Sequence, residues 1–168
     1  MKLAFEQKMM GIARIGLGWI FLWAFADKLW GLGFTTAADK SWLMGASPTA
    51  GFLKFATAGP FSELFASLAG QVWVDWLFML GLLGIGGALL LGIGMRIAGY
   101  TGALLMLMMF AASIPFYQDP AAHNPILDEH IIYAAILLAF TRIKVGRWWG
   151  MGEKWAKTSL VKSHPILE

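Results

Sequence analysis

Apolar residues run along this chain in four long stretches. From Ile15 to Phe34 the only charges are Asp27 and Lys28; Trp76 to Met95 has none, and neither does Ile97 to Ile114. A hydrocarbon core about 30 Å thick takes roughly 20 helical residues to cross, so these three stretches read directly as spans. Only eleven residues separate His130 from Arg142, and a helix of that length rises about 16 Å. The fourth span must therefore start earlier. Asn124 and Pro125 supply the signal, an N-cap residue followed by proline at the first helical position. The expected spans cover about 12–34, 74–95, 97–114 and 125–141, followed by an interfacial tail over 142–168. The fold class this implies is all-α: one integral membrane domain over 1–168, built as a four-helix bundle. The first span reads as a retained helix, since a processed leader would be shorter and free of internal charges.

The connections differ in length. Arg96 almost alone joins the second and third spans, which makes them antiparallel neighbours. The first connection is long and patterned. Ser47-Pro48 starts one short helix with Phe52, Phe55 and Ala56 on one side. Gly59-Pro60 starts another, in which Phe61, Leu64, Phe65 and Leu68 follow i, i+3, i+4, i+7 spacing while Ser62, Glu63 and Ser67 stay polar. Two amphipathic helices lying on the leaflet or folded over the bundle mouth fit this pattern.

Composition narrows the class further. Of 168 residues 58% are hydrophobic and 14% charged, against about 25% charged in a soluble domain, which excludes both a water-soluble globule and a disordered chain. Nine Trp and twelve Phe suit aromatic anchoring at a lipid interface. The chain has no cysteine, so thiolate metal sites, iron-sulfur ligation and protein persulfides are excluded.

The charges sort by side. With four spans both termini share one face, whose ten cations (Lys2, Lys8, Arg14, Arg96, Arg142, Lys144, Arg147, Lys154, Lys157 and Lys162) meet three carboxylates for a net +7; the other face carries −4. Short cytoplasmic loops hold the excess Lys and Arg. A multi-pass protein of the cell membrane with both termini cytoplasmic follows, and the overall +3 is no sign of nucleic-acid binding.

Depth arithmetic isolates a candidate site. Asp27 lies 13 residues above Arg14, about 20 Å, and His130 lies 12 above Arg142, about 18 Å. Ionisable groups at such depth cost about 2.5–3.5 kcal/mol each on insertion scales and face the bundle interior. Asp27 and Lys28 on the first span, with Asp128, Glu129 and His130 on the fourth, are expected to line one polar pocket open to the outer leaflet. Tyr133 shares the face of Glu129 and His130, and Trp23, four residues below Asp27, supplies an aromatic wall. A salt bridge of Lys28 with Asp128 or Glu129 that fixes helix register is the structural alternative.

Other signals are weaker. His123 and His130 with Asp128 are too sparse for a metal site, and no metal is expected. Bis-histidine haem ligation across the bundle is disfavoured because His130 is the only histidine in any span, and no haem is expected. Gly81, Gly84, Gly87, Gly92 and Gly94, with Gly99 and Ala103, read as close-packing surfaces and lack the spacing of a dinucleotide loop. Around Trp148, Met151 and Trp155 the basic tail reads as an interfacial anchor for anionic lipid.

Several segments resemble one family. Arg14-Ile-Gly-Leu-Gly18-Trp-Ile-Phe21, running on to Asp27-Lys28, is similar to the first helix of DoxX/DoxD membrane proteins. Gly45-Ala-Ser-Pro-Thr-Ala-Gly-Phe52, Asp75-Trp76-Leu-Phe-Met and Asn124-Pro-Ile-Leu-Asp-Glu-His130-Ile-Ile-Tyr133 resemble the DoxD-type subunit of thiosulfate:quinone oxidoreductase. The resemblance implies a four-helix membrane bundle associated with quinone, without haem, iron-sulfur cluster or flavin in this chain. It also implies oxidation of thiosulfate to tetrathionate with a DoxA-like partner subunit; a homo-oligomer is the other assembly considered. In that setting Glu129, Asp128, His130 and Asp27 are the proton-exchanging candidates, and Trp23 or Tyr133 would lie against the quinone ring. Lys28 would stabilise an anionic reduced quinone or a thiosulfate oxygen, and Lys40 and Lys54 would guide the small sulfur anion. Two other classes stay open: a non-catalytic scaffold subunit of an oxidoreductase complex, and a small proton-coupled or anion transporter.

Overall fold

The computed structural model describes residues 3–114, 117 and 126–168. All of its regular elements are helices; among the described residues the only β-type pairing is an isolated parallel bridge between Ala58 and Ser113. Three helices are long and apolar enough to cross a membrane: α1 (Phe5–Trp30), α4 (Val72–Leu91) and α5 (Met95–Ala112). Each boundary has a local cause. Gly31 takes the left-handed conformation that stops α1, its N–H donating to Asp27 O at 2.8 Å. Gly92 does the same for α4, and Gly94 (φ 60°) turns the chain back into α5. The two short helices expected in the first connection are present as α2 (Ala50–Phe55) and α3 (Ser62–Ser67), preceded by two 3-10 turns.

The fourth apolar helix differs from expectation. It is α6 (Glu129–Phe140), 12 residues long, and rises about 18 Å, short of a full crossing. The helix starts at Glu129 because Asp128 caps it: Asp128 is extended and its carboxylate accepts the His130 N–H at 3.1 Å. Asn124 and Pro125, the expected start, lie outside the described residues, as does His123. Asp128 is thus the cap, and Glu129 and His130 occupy the first turn. The described residues give three helices long and apolar enough to cross a membrane and one shorter apolar helix.

The helices pack in series, α1 on α4, α4 on α5 and α5 on α6. Glycines permit the close approaches. A Cβ at Gly86 would come within 2.9 Å of Leu22 N, and one at Gly99 within 2.7 Å of Leu137 O, so backbones meet where a side chain would hold them apart. The core between them includes Phe21, Met79, Leu89, Leu137 and Phe140. Not all the glycines serve this purpose. Gly81, Gly84 and Gly87 face open space, contrary to the expectation that they pack.

One end of the bundle is closed by Arg14. This side chain is fully buried, 0% exposed. Its guanidinium donates to Leu89 O, to Leu90 O at 3.0 Å, to Trp148 O at 3.0 Å and to Trp149 O at 3.2 Å. The first two acceptors are carbonyls at the end of α4 that no helical turn can satisfy, and the partial negative charge there favours a cation. The other two belong to the segment after α6. Trp149 has φ 56°, a conformation that costs a bulky residue roughly 1–2 kcal/mol, and its carbonyl is one that Arg14 holds.

The basic tail does not lie as a single amphipathic helix. It folds as a 3-10 turn (Val145–Arg147), α7 (Gly152–Ala156), α8 (Ser159–Ser163) and a last 3-10 turn (Pro165–Leu167). Met151 N–H donates to Leu91 O at 2.7 Å and Arg96 N–H to Glu168 O at 3.1 Å, which docks the tail on the α4–α5 turn. Gly92 and Gly146 cross so closely that a Cβ on Gly92 would fall 3.0 Å from Gly146 Cα.

Arg14→Met is expected to destabilise the protein in detergent by about 1–3 kcal/mol through buried acceptors left unpaired. Arg14→Lys should recover less than half of that, because a point charge cannot reach four carbonyls as a planar fork does. Thermal unfolding followed by tryptophan fluorescence measures both, and equal stability of the Lys variant and wild type would refute the capping role.

Candidate functional site: an apolar cleft with a cationic end

Gly81, Gly84 and Ala88 on α4 face Ile97, Thr101, Leu104, Leu105 and Met108 on α5 across an unfilled cleft of about 790 Å³. That lies within the roughly 300–1,000 Å³ of ligand pockets. The cleft follows α5 from Ile97 to Ala112, a rise of about 22 Å. It is open on one side, where Leu77, Leu80, Leu104 and Met108 are exposed at its lips. The cause lies in the sequence of α4: Gly86 faces α1, whereas the side-chain-free positions 81 and 84 face away from it and leave space.

Each end of the cleft has its own closure. Trp155 of α7 and Gly94 stand at the end near the basic tail. At the other end Pro48, Phe52 and Leu53, with Phe65 and Leu68 of α3, form a roof. Asp75, in the first turn of α4, fastens that roof: its carboxylate is 6% exposed and accepts from Ser47 Oγ at 2.8 Å and Thr49 Oγ1 at 2.6 Å. Ser47 Oγ in turn accepts the Ala50 N–H at 3.0 Å, starting α2. Trp42 meets the edge of Trp76 at 4.7 Å, and Ala58 N–H donates to Ala112 O at 2.8 Å. The first connection is therefore clasped to both helices that line the cleft.

Among the described residues, the one charged side chain lining the cleft is Lys28. It sits in the last turn of α1, half-buried, with Nζ 3.5 Å from Thr35 Oγ1. Its neighbour Asp27 turns elsewhere. The Asp27 carboxylate is 1% exposed and accepts from Phe34 N–H at 3.2 Å, Thr35 N–H at 3.0 Å and Thr35 Oγ1 at 2.7 Å. Asp27 therefore holds the loop that follows α1, and Thr35 links it to Lys28.

On α6, Asp128 and His130 form a second unit. Asp128 Oδ2 lies 2.8 Å from His130 Nδ1, with 16% and 21% of the respective side chains exposed. The contact fixes the orientation of the ring, with Nδ1 turned to the carboxylate and Nε2 turned away from it. Glu129 beside it is exposed. Tyr133 packs partly buried against the core, and Trp23 stacks on Trp19 at 5.7 Å and meets the edge of Phe34 at 5.0 Å. Lys40 and Lys54 are exposed on the first connection. Among the described residues no hydrogen bond or ion pair joins the charged groups of α1 to those of α6. The structure pairs Asp128 with His130 and places Lys28 in the cleft; Asp27 is committed to its loop. Asp75, Thr49 and the open glycines are the site elements that sequence reasoning passed over. The one available signal was Asp75 in the first turn of a helix, downstream of a Ser-Pro-Thr segment.

Compared with known proteins, the chain matches no protein-family model, no curated protein and no solved structure.

Asp75→Ala is expected to free residues 47–55 while leaving the middle of α4 protected. Hydrogen exchange read by mass spectrometry should show protection of that segment falling by about a hundredfold or more, matching the loss of two hydrogen bonds to a carboxylate at about 1.5–3 kcal/mol each. Unchanged exchange over 47–55 would remove Asp75 as the clasp.

Proposed function

We propose that this chain is the membrane subunit of a quinone-linked oxidoreductase, with thiosulfate as electron donor and tetrathionate as product. The observation that carries the reading is Lys28 at one end of a long, laterally open apolar cleft. A ligand with a polar ring and a long isoprenoid tail has the shape and polarity of that cleft. The segments similar to the DoxD-type subunit, Arg14 to Lys28, Gly45 to Phe52, Asp75 to Met79 and Asn124 to Tyr133, support the sulfur chemistry.

A bound quinone supplies the electron acceptor: two electrons from two thiosulfates and two protons convert it to quinol as tetrathionate forms. Within this chain Lys28 would donate a hydrogen bond to a ring carbonyl and stabilise negative charge developing there, which in a dry cleft counts for more than in water. Gly81 and Gly84 leave room for the tail. The Asp128–His130 pair stands at the same end of the bundle as Lys28, since α1 and α5 run toward that end and α6 starts from it. His130, held by Asp128, would be the proton-exchanging group of that pair. With no cysteine in the chain, sulfur-sulfur bond formation takes place between substrate molecules or on a DoxA-like partner.

A second reading, a non-catalytic scaffold, draws on Asp27, whose three hydrogen bonds all go to its own loop.

Protein purified in detergent, supplied with thiosulfate and a soluble quinone analogue, tests the choice by quinone absorbance. Wild type, alone or with a partner subunit, should reduce quinone. Lys28→Met should lower kcat/KM by about tenfold or more, the loss of one charge-assisted hydrogen bond. Gly84→Leu should raise KM for the quinone with smaller change in kcat. Inactive wild type under both conditions would favour the scaffold.

A further inference from the structure

Away from the cleft, at the end of the bundle sealed by Arg14, four cations converge on one small cavity. Arg96 comes from the first turn of α5, Arg142 and Lys144 from the segment after α6, and Arg147 from the 3-10 turn that follows. Among the described residues the one acidic side chain lining the cavity is Glu168, whose Oε1 meets Arg147 Nη2 at 2.5 Å. Its backbone carbonyl is held by the Arg96 N–H at 3.1 Å. The hydrogen bond from Arg147 holds the Glu168 carboxyl below its ordinary range, with further help from the charges of Arg147, Lys144 and Arg96 and against the opposing effect of burial. The other nearby carboxylate, Glu153, pairs with Lys157 at 2.9 Å outside the cavity.

We infer that this cavity is a binding site for the phosphoryl headgroup of an anionic phospholipid, and that Glu168 is a built-in competitor for it. Three features support the assignment. Four cations face one carboxylate, so the site is short of negative charge even when Glu168 is seated. It lies where the chain leaves the apolar spans, the level at which headgroups lie, and basic pockets between helices at that level take anionic headgroups. Its inner wall is apolar, formed by Met95 and Phe140, which suits the glycerol and first methylenes below a phosphate. With Glu168 seated the free space is about 50 Å³, room for one or two waters at about 30 Å³ each. A phosphoryl group and the Glu168 carboxylate therefore compete for the same cations. Arg147 and Glu168 are 37% and 27% exposed, and pairs so open to water are weakly held, so the exchange is accessible.

Native mass spectrometry of the full chain in mild detergent, titrated with phosphatidylglycerol, phosphatidylcholine or inorganic phosphate, tests this. Phosphatidylglycerol should bind about tenfold or more tightly than phosphatidylcholine, at one site, and millimolar phosphate should not displace it. Glu168→Gln should tighten phosphatidylglycerol binding about threefold, the competitor being gone. Replacing Arg142 and Lys144 together by Gln should weaken it about tenfold or more; both side chains are exposed, so the fold stays intact, as unchanged circular dichroism would verify. The control replaces Lys154 and Lys162 by Gln, an equal charge change on exposed residues outside the cavity, and should leave binding within twofold of wild type. Equal affinity for the two lipids, displacement by phosphate, weaker binding in Glu168→Gln, or a control that loses as much as the Arg142 and Lys144 variant would each overturn the proposal.

Discussion

A buried arginine with no carboxylate partner sets the arrangement of this protein. Arg14 is removed from solvent completely, yet its charge is met only by backbone carbonyls, two at the end of α4 and two in the segment beyond α6. A cation in such a place needs several well-placed acceptors, and a helix C-terminus offers them as a group. That need fixes the height of α1 against α4. It also brings the tail under the bundle, where Gly92 and Gly146 cross at backbone distance. Asp27 at the other end of α1 has the complementary solution, a carboxylate satisfied by backbone and hydroxyl donors of the next loop. The two buried charges of α1 are thus both spent on chain geometry, whereas Lys28 lines the cleft.

The glycines of α4 then divide into two kinds. Gly86 removes a side chain so that α1 can approach, whereas Gly81 and Gly84 remove side chains with nothing moving in. Tight packing on one side of a helix and a void on the other are mechanically linked. On α4, the face toward α1 is closely packed at Gly86 and the first turn is tied to the roof through Asp75, while the cleft stays open beside Gly81 and Gly84.

Much of this was legible in the sequence, and the parts that were not share a cause. Uninterrupted apolar length marked α1, α4 and α5, and the Ser47-Pro48 and Gly59-Pro60 signals marked α2 and α3, because those cues are local and have few competitors. Helix α6 begins later than the Asn124-Pro125 signal places it, because Asp128 turns its carboxylate onto the His130 N–H, a contact that only three-dimensional context shows. Asp27 and Lys28 looked like one polar unit. Adjacent residues on a helix point about 100° apart, and the partner of Asp27 lies eight residues on in a loop whose path no periodicity encodes. Arg14 served as a marker of the membrane boundary for the same reason: its acceptors are carbonyls, which every residue carries, and so they leave no trace in the sequence. Gly84 and Gly86 are identical letters two positions apart, and their opposite roles depend on which neighbour stands beside each.

The acceptors of Arg14 also impose an order on biosynthesis. The arginine is made early and inserted with the first helix, whereas two of its four partners, Trp148 and Trp149, are translated some 134 residues later. Until then the buried cation has only the end of α4 to bind, and the site stays open beneath the bundle. Closure of that end of the helix pair therefore waits on residues 148 and 149, the last of the four acceptors to be made.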